Sequence, residues 1–246
     1  MHQRRSGADP PRLPAQRRPG RPVTHPLDNP VLASLTGPHA SLALTRGRAA
    51  RYPADVSPFC ALPGEPDAAD WADAARLLGG EAILFPALRA TPPPDWEVLG
   101  LGEGVQLVAT TLDATPDPEA VPLGPADVPD MLSLTRLAQP GPFLSRTIEL
   151  GAYLGIRRDG QLIAMAGERM RPPGWTEISA VCTDPAWRGQ GLASRLTRAV
   201  AAGIAARGDT PFLHAIAANT TAIRLYKELG FTRRRDVRFP LLRPVR

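Results

Sequence analysis

Apolar positions recur along this 246-residue chain with two different periods, and the places where the period changes predict its elements. In DAADWADAARLLGG, Trp71, Ala74, Ala75 and Leu78 stand at i, i+3, i+4 and i+7, which predicts a helix stopped by Gly79 and Gly80. The apolar run EAILFPA reads next as a short buried strand, and DWEVLGLGEGVQLVA reads as a hairpin turning at Gly102, Glu103 and Gly104. Acidic and Pro residues then break the pattern between Thr110 and Ala120. We place a domain linker there.

Beyond it, ADVPDMLSLTRLA predicts a helix over 126–138, with Pro129 tolerable in a first turn. Two strands follow around Asp159 and Gly160, a favoured two-residue hairpin turn. A third strand, WTEISAVCT, would by strict alternation put Ile178, Ala180 and Cys182 on one face and Glu177, Ser179, Val181 and Thr183 on the other. In the next helix Leu192, Leu196, Ala199, Val200, Gly203 and Ile204 share a face, while Ser194, Arg195, Thr197 and Arg198 point outward. The strand PFLHAIA, a helix from Asn219 to Gly230 and a strand through FTRRRDVRFP complete the chain. The order β, β, β, α, β, α, β predicts an α+β fold with α/β-type layers, a mixed sheet carrying helices.

Charge changes the picture at one end. Residues 1–24 hold six Arg and one Asp, so their charge of +5 equals that of the whole chain and the remainder sums to zero. The high isoelectric point thus describes a tail, and the folded body gives little reason to bind nucleic acid. Without large apolar residues, that Pro- and Arg-rich tail is expected to be disordered. The expected domains are therefore the tail, 1–24, a smaller α/β domain, 25–118, and a second domain, 119–246. AVAAGIAA is far too short to span a membrane, and a cytoplasmic protein is the default expectation. Cys60 and Cys182 suggest free thiols, and no spacing suggests a metal site or a serine hydrolase.

The candidate chemistry centres on WRGQGLASRLTRAV. Two glycines before an amphipathic helix suit a phosphate, which the free N–H groups and dipole of a helix start attract; a plain strand-to-helix turn is the simpler alternative. The P-loop spacing is absent, and a dinucleotide fingerprint would need a third Gly or Ala at Ser194. The remaining pattern is Arg188-x-x-Gly191-x-Ala193.

On these residues VCTDPAWRGQGLASRLTRAV resembles the acyl-coenzyme A pyrophosphate motif of the GNAT superfamily of N-acetyltransferases. NTTAIRLYKELGF resembles that family's next motif, and residues 149–185 resemble its FR47-like subgroup. The likeness covers about half the chain. It implies a splayed mixed sheet, with acetyl-coenzyme A as co-substrate entering between the strands 175–183 and 211–217. It implies that backbone amides of Gly189, Gln190, Gly191, Leu192, Ala193 and Ser194 cradle the pyrophosphate, that Arg188 adds charge, and that Val181 and Thr183 offer backbone groups to the acyl arm. Asn219 would cap the following helix and line the cofactor.

The resemblance also carries a general base over to Glu177, eleven residues before Arg188, and a general acid over to Tyr226. Glu177 as an ion pair with an Arg, Tyr226 as a core aromatic, and His214 as another base are the alternatives. The expected activity is acetyl transfer to a primary amine by direct attack in a ternary complex, with a small-molecule or peptide acceptor. QPGPFLSRTIEL, 139–150, could wall the acceptor side. An enzyme for longer acyl groups and a non-catalytic acyl-coenzyme A sensor are the rival readings.

Overall fold

The computed structural model describes residues 25–245, so the tail assigned to residues 1–24 lies outside the described residues. The N-terminal half supplies α1 (Pro30–Leu35), a three-stranded sheet of β1 (Leu44–Arg46), β2 (Ala49–Arg51) and β3 (Cys60–Ala61), then α2 (Ala68–Leu78), β4 (Ile83–Leu84) and β5 (Trp96–Ala109). The C-terminal half follows with β6 (Val121–Leu123), α3 (Val128–Ala138), β7 (Tyr153–Arg158), β8 (Gln161–Glu168) and β9 (Trp175–Thr183). It ends with α4 (Leu192–Ala206), β10 (Thr210–Ile216), α5 (Thr220–Glu228) and β11 (Phe231–Pro244).

Local chemistry explains the elements that were expected. Asp67 and Asp70 form a reciprocal capping box at the start of α2, and Gly79 ends it in the left-handed region at φ 60°. Asp159 and Gly160, at φ 50° and 81°, join β7 to β8 with the two left-handed residues a tight hairpin requires. Leu192, Leu196, Val200 and Ile204 of α4 are buried against the sheet. Fully burying such a side chain contributes about 1.5–3 kcal/mol. Thr197, expected to face outward, is also buried. Its hydroxyl donates to Ala193 O at 2.7 Å, which removes the penalty for burying it.

The large sheet has eight strands in the order β4-β11-β5-β10-β9-β8-β7-β6, antiparallel except for the parallel pair β9 and β10. This mixed sheet with flanking helices is the α+β architecture expected. The boundary drawn at residue 118 is not a break in it, because β4 and β5 come from before that point and β5 lies between β10 and β11. Leu27, Val31, Tyr52, Val56 and Phe59 likewise pack with Phe212 of β10 in one apolar cluster.

The hairpin expected at Gly102 to Gly104 is instead a continuous stretch of the 14-residue strand β5. Gly104 serves close approach. A Cβ on Gly104 would stand 2.6 Å from Phe239 Cε2 and 2.8 Å from the Ala215 carbonyl oxygen, so the ring and both neighbouring strands need that space. Gly104→Ala is therefore expected to destabilise the protein by about 1–3 kcal/mol, the overpacking range. A denaturation midpoint equal to the wild type would show that the Phe239 ring is free to move away.

Strict alternation also fails in β9. Gly167 pairs with Ser179 and Met165 with Cys182, so Ala180 and Val181 together face Ala166 alone, and Ala180 takes φ 52°. Ile178 accordingly packs on the α4 side, while Ala180 and Cys182 pack with Met131 and Leu134 of α3. A bulge adds one residue and bends the strand.

Candidate active site

The bend opens a gap. β9 and β10 pair at Trp175, Thr176 and Glu177 with Thr210, Pro211 and Phe212, and no further. Asp184 N–H still donates to Ile163 O of β8 at 2.8 Å. Since successive residues address opposite strand edges outside a bulge, Thr183 turns its backbone groups toward the open β10 side.

From the end of β9 the chain turns at Asp184, whose side chain accepts from Ala186 N–H at 2.8 Å and from Gln161 Nε2 at 3.3 Å. Gly189 and Gly191 both take left-handed φ, 81° and 73°, and a Cβ on either would meet nothing within 4 Å. Backbone conformation, not crowding, is what selects glycine there. Gly191 N-caps α4 without a side-chain cap, and its first turn holds no acidic residue. The first helical closure is Arg195 N–H to Gly191 O at 3.1 Å, which leaves the preceding amides as free donors of a helix start. Arg188 is exposed and has no ion-pair partner among the described residues. Such a concave run of donors, one free guanidinium and an unopposed dipole fits a pyrophosphate. Arg195, one turn on, is committed elsewhere, to Asp117 at 2.6 Å and to Glu119 at 2.5 Å.

Asn219 Oδ1 accepts from Ala222 N–H at 3.1 Å and so caps α5. Tyr226 on that helix is 9% exposed, edge-on to Phe231 with ring centroids 6.0 Å apart. Its hydroxyl makes no hydrogen bond to the described residues. Burial, assisted by the nearby Cys182 thiol of β9, pushes its phenol up to about 12. It is therefore protonated at neutral pH, a donor beside the gap.

Glu177 stands where β9 and β10 part, but it is no free carboxylate. It is 0% exposed, with Arg169 Nε and Nη2 donating to its two oxygens at 2.8 Å each and His214 Nδ1 at 2.7 Å. Burial would raise its pKa; the charge and hydrogen bonds of Arg169, with the hydrogen bond from His214, outweigh that and hold it at about 2. This corrects the expectation of a cleft-facing carboxylate, and it is the ion-pair alternative that the geometry displays. A carboxylate so held is a weak proton acceptor.

His214 is part of the same network rather than an independent base. Its side chain is 3% exposed, and its Nε2 lies 3.0 Å from Gln106 Nε2. Gln106 also donates to Leu27 O at 3.0 Å and accepts from Arg234 at 2.9 Å, which orients its amide. On that assignment His214 accepts at Nε2 and donates from Nδ1 to Glu177. Arg169, Gln106 and Arg234 escaped the sequence reading because their partners lie on other strands, 108 residues away for Gln106 and His214. No periodicity marks such pairs.

The loop 139–150 is tied to the N-terminal half, with Thr147 Oγ1 donating to Val56 O at 2.7 Å. Both cysteines are free and buried, their thiols pushed up to about 12 by burial. No helix among the described residues is long and apolar enough to cross a membrane.

Comparison with known proteins meets this geometry. The FR47-like protein family model matches residues 153–239. A GNAT-family acetyltransferase structure from Novosphingobium aromaticivorans is 42% identical, with a TM-score of 0.81, over 91% of this chain and 100% of that one. The N-alpha-acetyltransferase RimI of Mycobacterium tuberculosis is 36% identical over 84 residues, 33% of this chain and 52% of that protein. The mycothiol acetyltransferase of Thermobispora bispora is 48% identical over 58 residues, 23% of this chain and 20% of that protein. The matched stretch thus spans about half or less of these two relatives. With its splayed strands, uncapped glycine loop and near-full-length match to a solved relative, the chain belongs to the GNAT family of N-acetyltransferases and is an acyltransferase.

Proposed function

We propose that this protein transfers the acetyl group of acetyl-coenzyme A directly to a primary amine, with both substrates bound together. The observation that carries the reading is the uncapped start of α4 at the mouth of a strand gap whose edge amides are unpaired. The co-substrate supplies the thioester and its acyl carbon. The amides from Gly189 to Ser194 and the Arg188 guanidinium hold its pyrophosphate, and the Val181 and Thr183 backbone groups align the acyl arm in the gap. Asn219 starts the helix that places Tyr226, and its side-chain amide nitrogen is available to the co-substrate.

Tyr226 gives its proton to the departing thiolate. Glu177 anchors the apex of the gap through Arg169 and His214. As the amide bond forms and the thioester C–S bond breaks, the amine nitrogen releases its proton to solvent water, and the Tyr226 phenolate is reprotonated from solvent. A small-molecule or peptide amine is the acceptor, in keeping with the amine-directed name of one relative, N-alpha-acetyltransferase.

Tyr226→Phe tests the acid role. Loss of a positioned general acid should lower kcat by about a hundredfold, with KM for acetyl-coenzyme A nearly unchanged. An acid must be protonated to act, so with its phenol near 12 Tyr226 produces no loss of wild-type rate below about pH 11. Undiminished turnover of the phenylalanine variant across pH would remove Tyr226 from the mechanism.

A further inference from the structure

Two adjoining hollows lie outside the acyl site, lined by no residue of β9, β10, α4 or α5. The larger, about 950 Å³, has apolar wall residues including Leu32, Leu62 and Phe85. The smaller, about 290 Å³, lies between Ala87–Arg89 and Arg235–Arg238 of β11. They share Ala87, Leu88 and Arg89. The larger alone has the size and mixed lining of a small-molecule site, roughly 300–1,000 Å³.

Their charges do not balance. A β11 bulge between Arg233 and Arg235 brings two consecutive guanidinium groups to one carboxylate oxygen: Asp28 Oδ1 accepts from Arg234 at 2.8 Å and from Arg235 at 2.9 Å. Arg89 and Arg238 have no ion pair among the described residues, and Asp236, the carboxylate of the smaller hollow, is held by Arg233. In the larger hollow Arg48 is already paired with Asp67 and Asp70, and Glu65 is exposed. Positive charge therefore concentrates where the hollows meet. Burial, then the charge of Arg89, holds the Arg235 guanidinium below its ordinary pKa, a tension that a bound anion would relieve. Ala87, at φ 64°, donates its N–H to Arg238 O at 2.9 Å and fixes the turn that carries Arg89 to this junction.

We propose that these hollows form a binding site for a small organic anion, its carboxylate or phosphate oxygens held at Arg89, Arg235 and Arg238 and its apolar part against the half-buried Leu32 and Leu88. Guanidinium groups suit both oxyanions because their forked donors match two oxygens at once. The site is separate from acyl transfer and does not depend on the mechanism above.

The test is calorimetric titration of citrate, and separately of phenyl phosphate, into the full-length protein saturated with coenzyme A, which occupies the α4 amides. Saturable binding of at least one probe is expected, weakened tenfold or more in Arg89→Ala, with coenzyme A affinity unchanged in that variant. Citrate alone would assign a carboxylate ligand, and phenyl phosphate alone a phosphate ligand. Failure of both probes to saturate, or undiminished binding in an Arg89→Ala/Arg238→Ala double variant, overturns the proposal.

Discussion

Gly191→Glu is expected to abolish acetyl-coenzyme A binding while leaving the fold in place. Two effects act together. Gly191 sits at φ 73°, where a residue with a Cβ is strained by about 1–2 kcal/mol, and the loop must shift to relieve it. The new carboxylate would also stand among the free amides of α4 and take the donors intended for pyrophosphate. The open space around this position means that no packing contact is lost. Affinity should fall a hundredfold or more by calorimetry, with the melting temperature lowered by only a few degrees. Unchanged affinity would place the co-substrate elsewhere and remove the proposed function with it.

The second large effect concerns stability. Glu177→Gln removes the charge that neutralises Arg169, whose side chain is 14% exposed, and leaves a nearly buried guanidinium unpaired. Breaking such a pair from one side costs about 3–5 kcal/mol, whereas replacing both partners by apolar residues is often neutral. Glu177→Gln should therefore lower the urea midpoint sharply, and Arg169→Met with Glu177→Leu should recover most of the loss. The pH dependence has a definite sign. The carboxyl titrates at about 2 in the fold against 4.5 as its ordinary value. Its contribution, about 3 kcal/mol from that difference, is fully present above roughly pH 5 and is lost as pH falls toward 2. An acid-insensitive wild type, or a Glu177→Gln variant as stable as the parent, would mean that the pair contributes little. A wild-type kcat/KM profile with an acid limb between pH 6 and 8 that Glu177→Gln abolishes would instead restore Glu177 as the base.

The glycine loop and the helix it starts were legible because their determinants are local. Gly189, Gly191, the small Ala193 and the apolar face of α4 lie within a few residues of one another, and backbone sterics decide their conformation without help from the rest of the chain. The caps of α2 and α5 and the turn at Asp159 and Gly160 were legible for the same reason. Tyr226 could be placed near the gap because helical periodicity carries a cap at Asn219 forward two turns.

Non-local packing set what was misread. Gly102 and Gly104 look like a turn until the Phe239 ring is laid across β5 from β11, and then glycine at 104 is what leaves room for it. Glu177 occupies the strand position expected, yet its chemistry depends on Arg169, His214, Gln106 and Arg234. These belong to three strands, β5 among them from the N-terminal half, and to the turn that follows β8. The sequence by itself determined the order of the C-terminal elements, because short-range spacing encodes them, and its two motifs carried the resemblance that led to the family. Only the tertiary structure decided that β5 completes the sheet and that Glu177 is buried and paired, because strand neighbours and burial arise from contacts between distant segments.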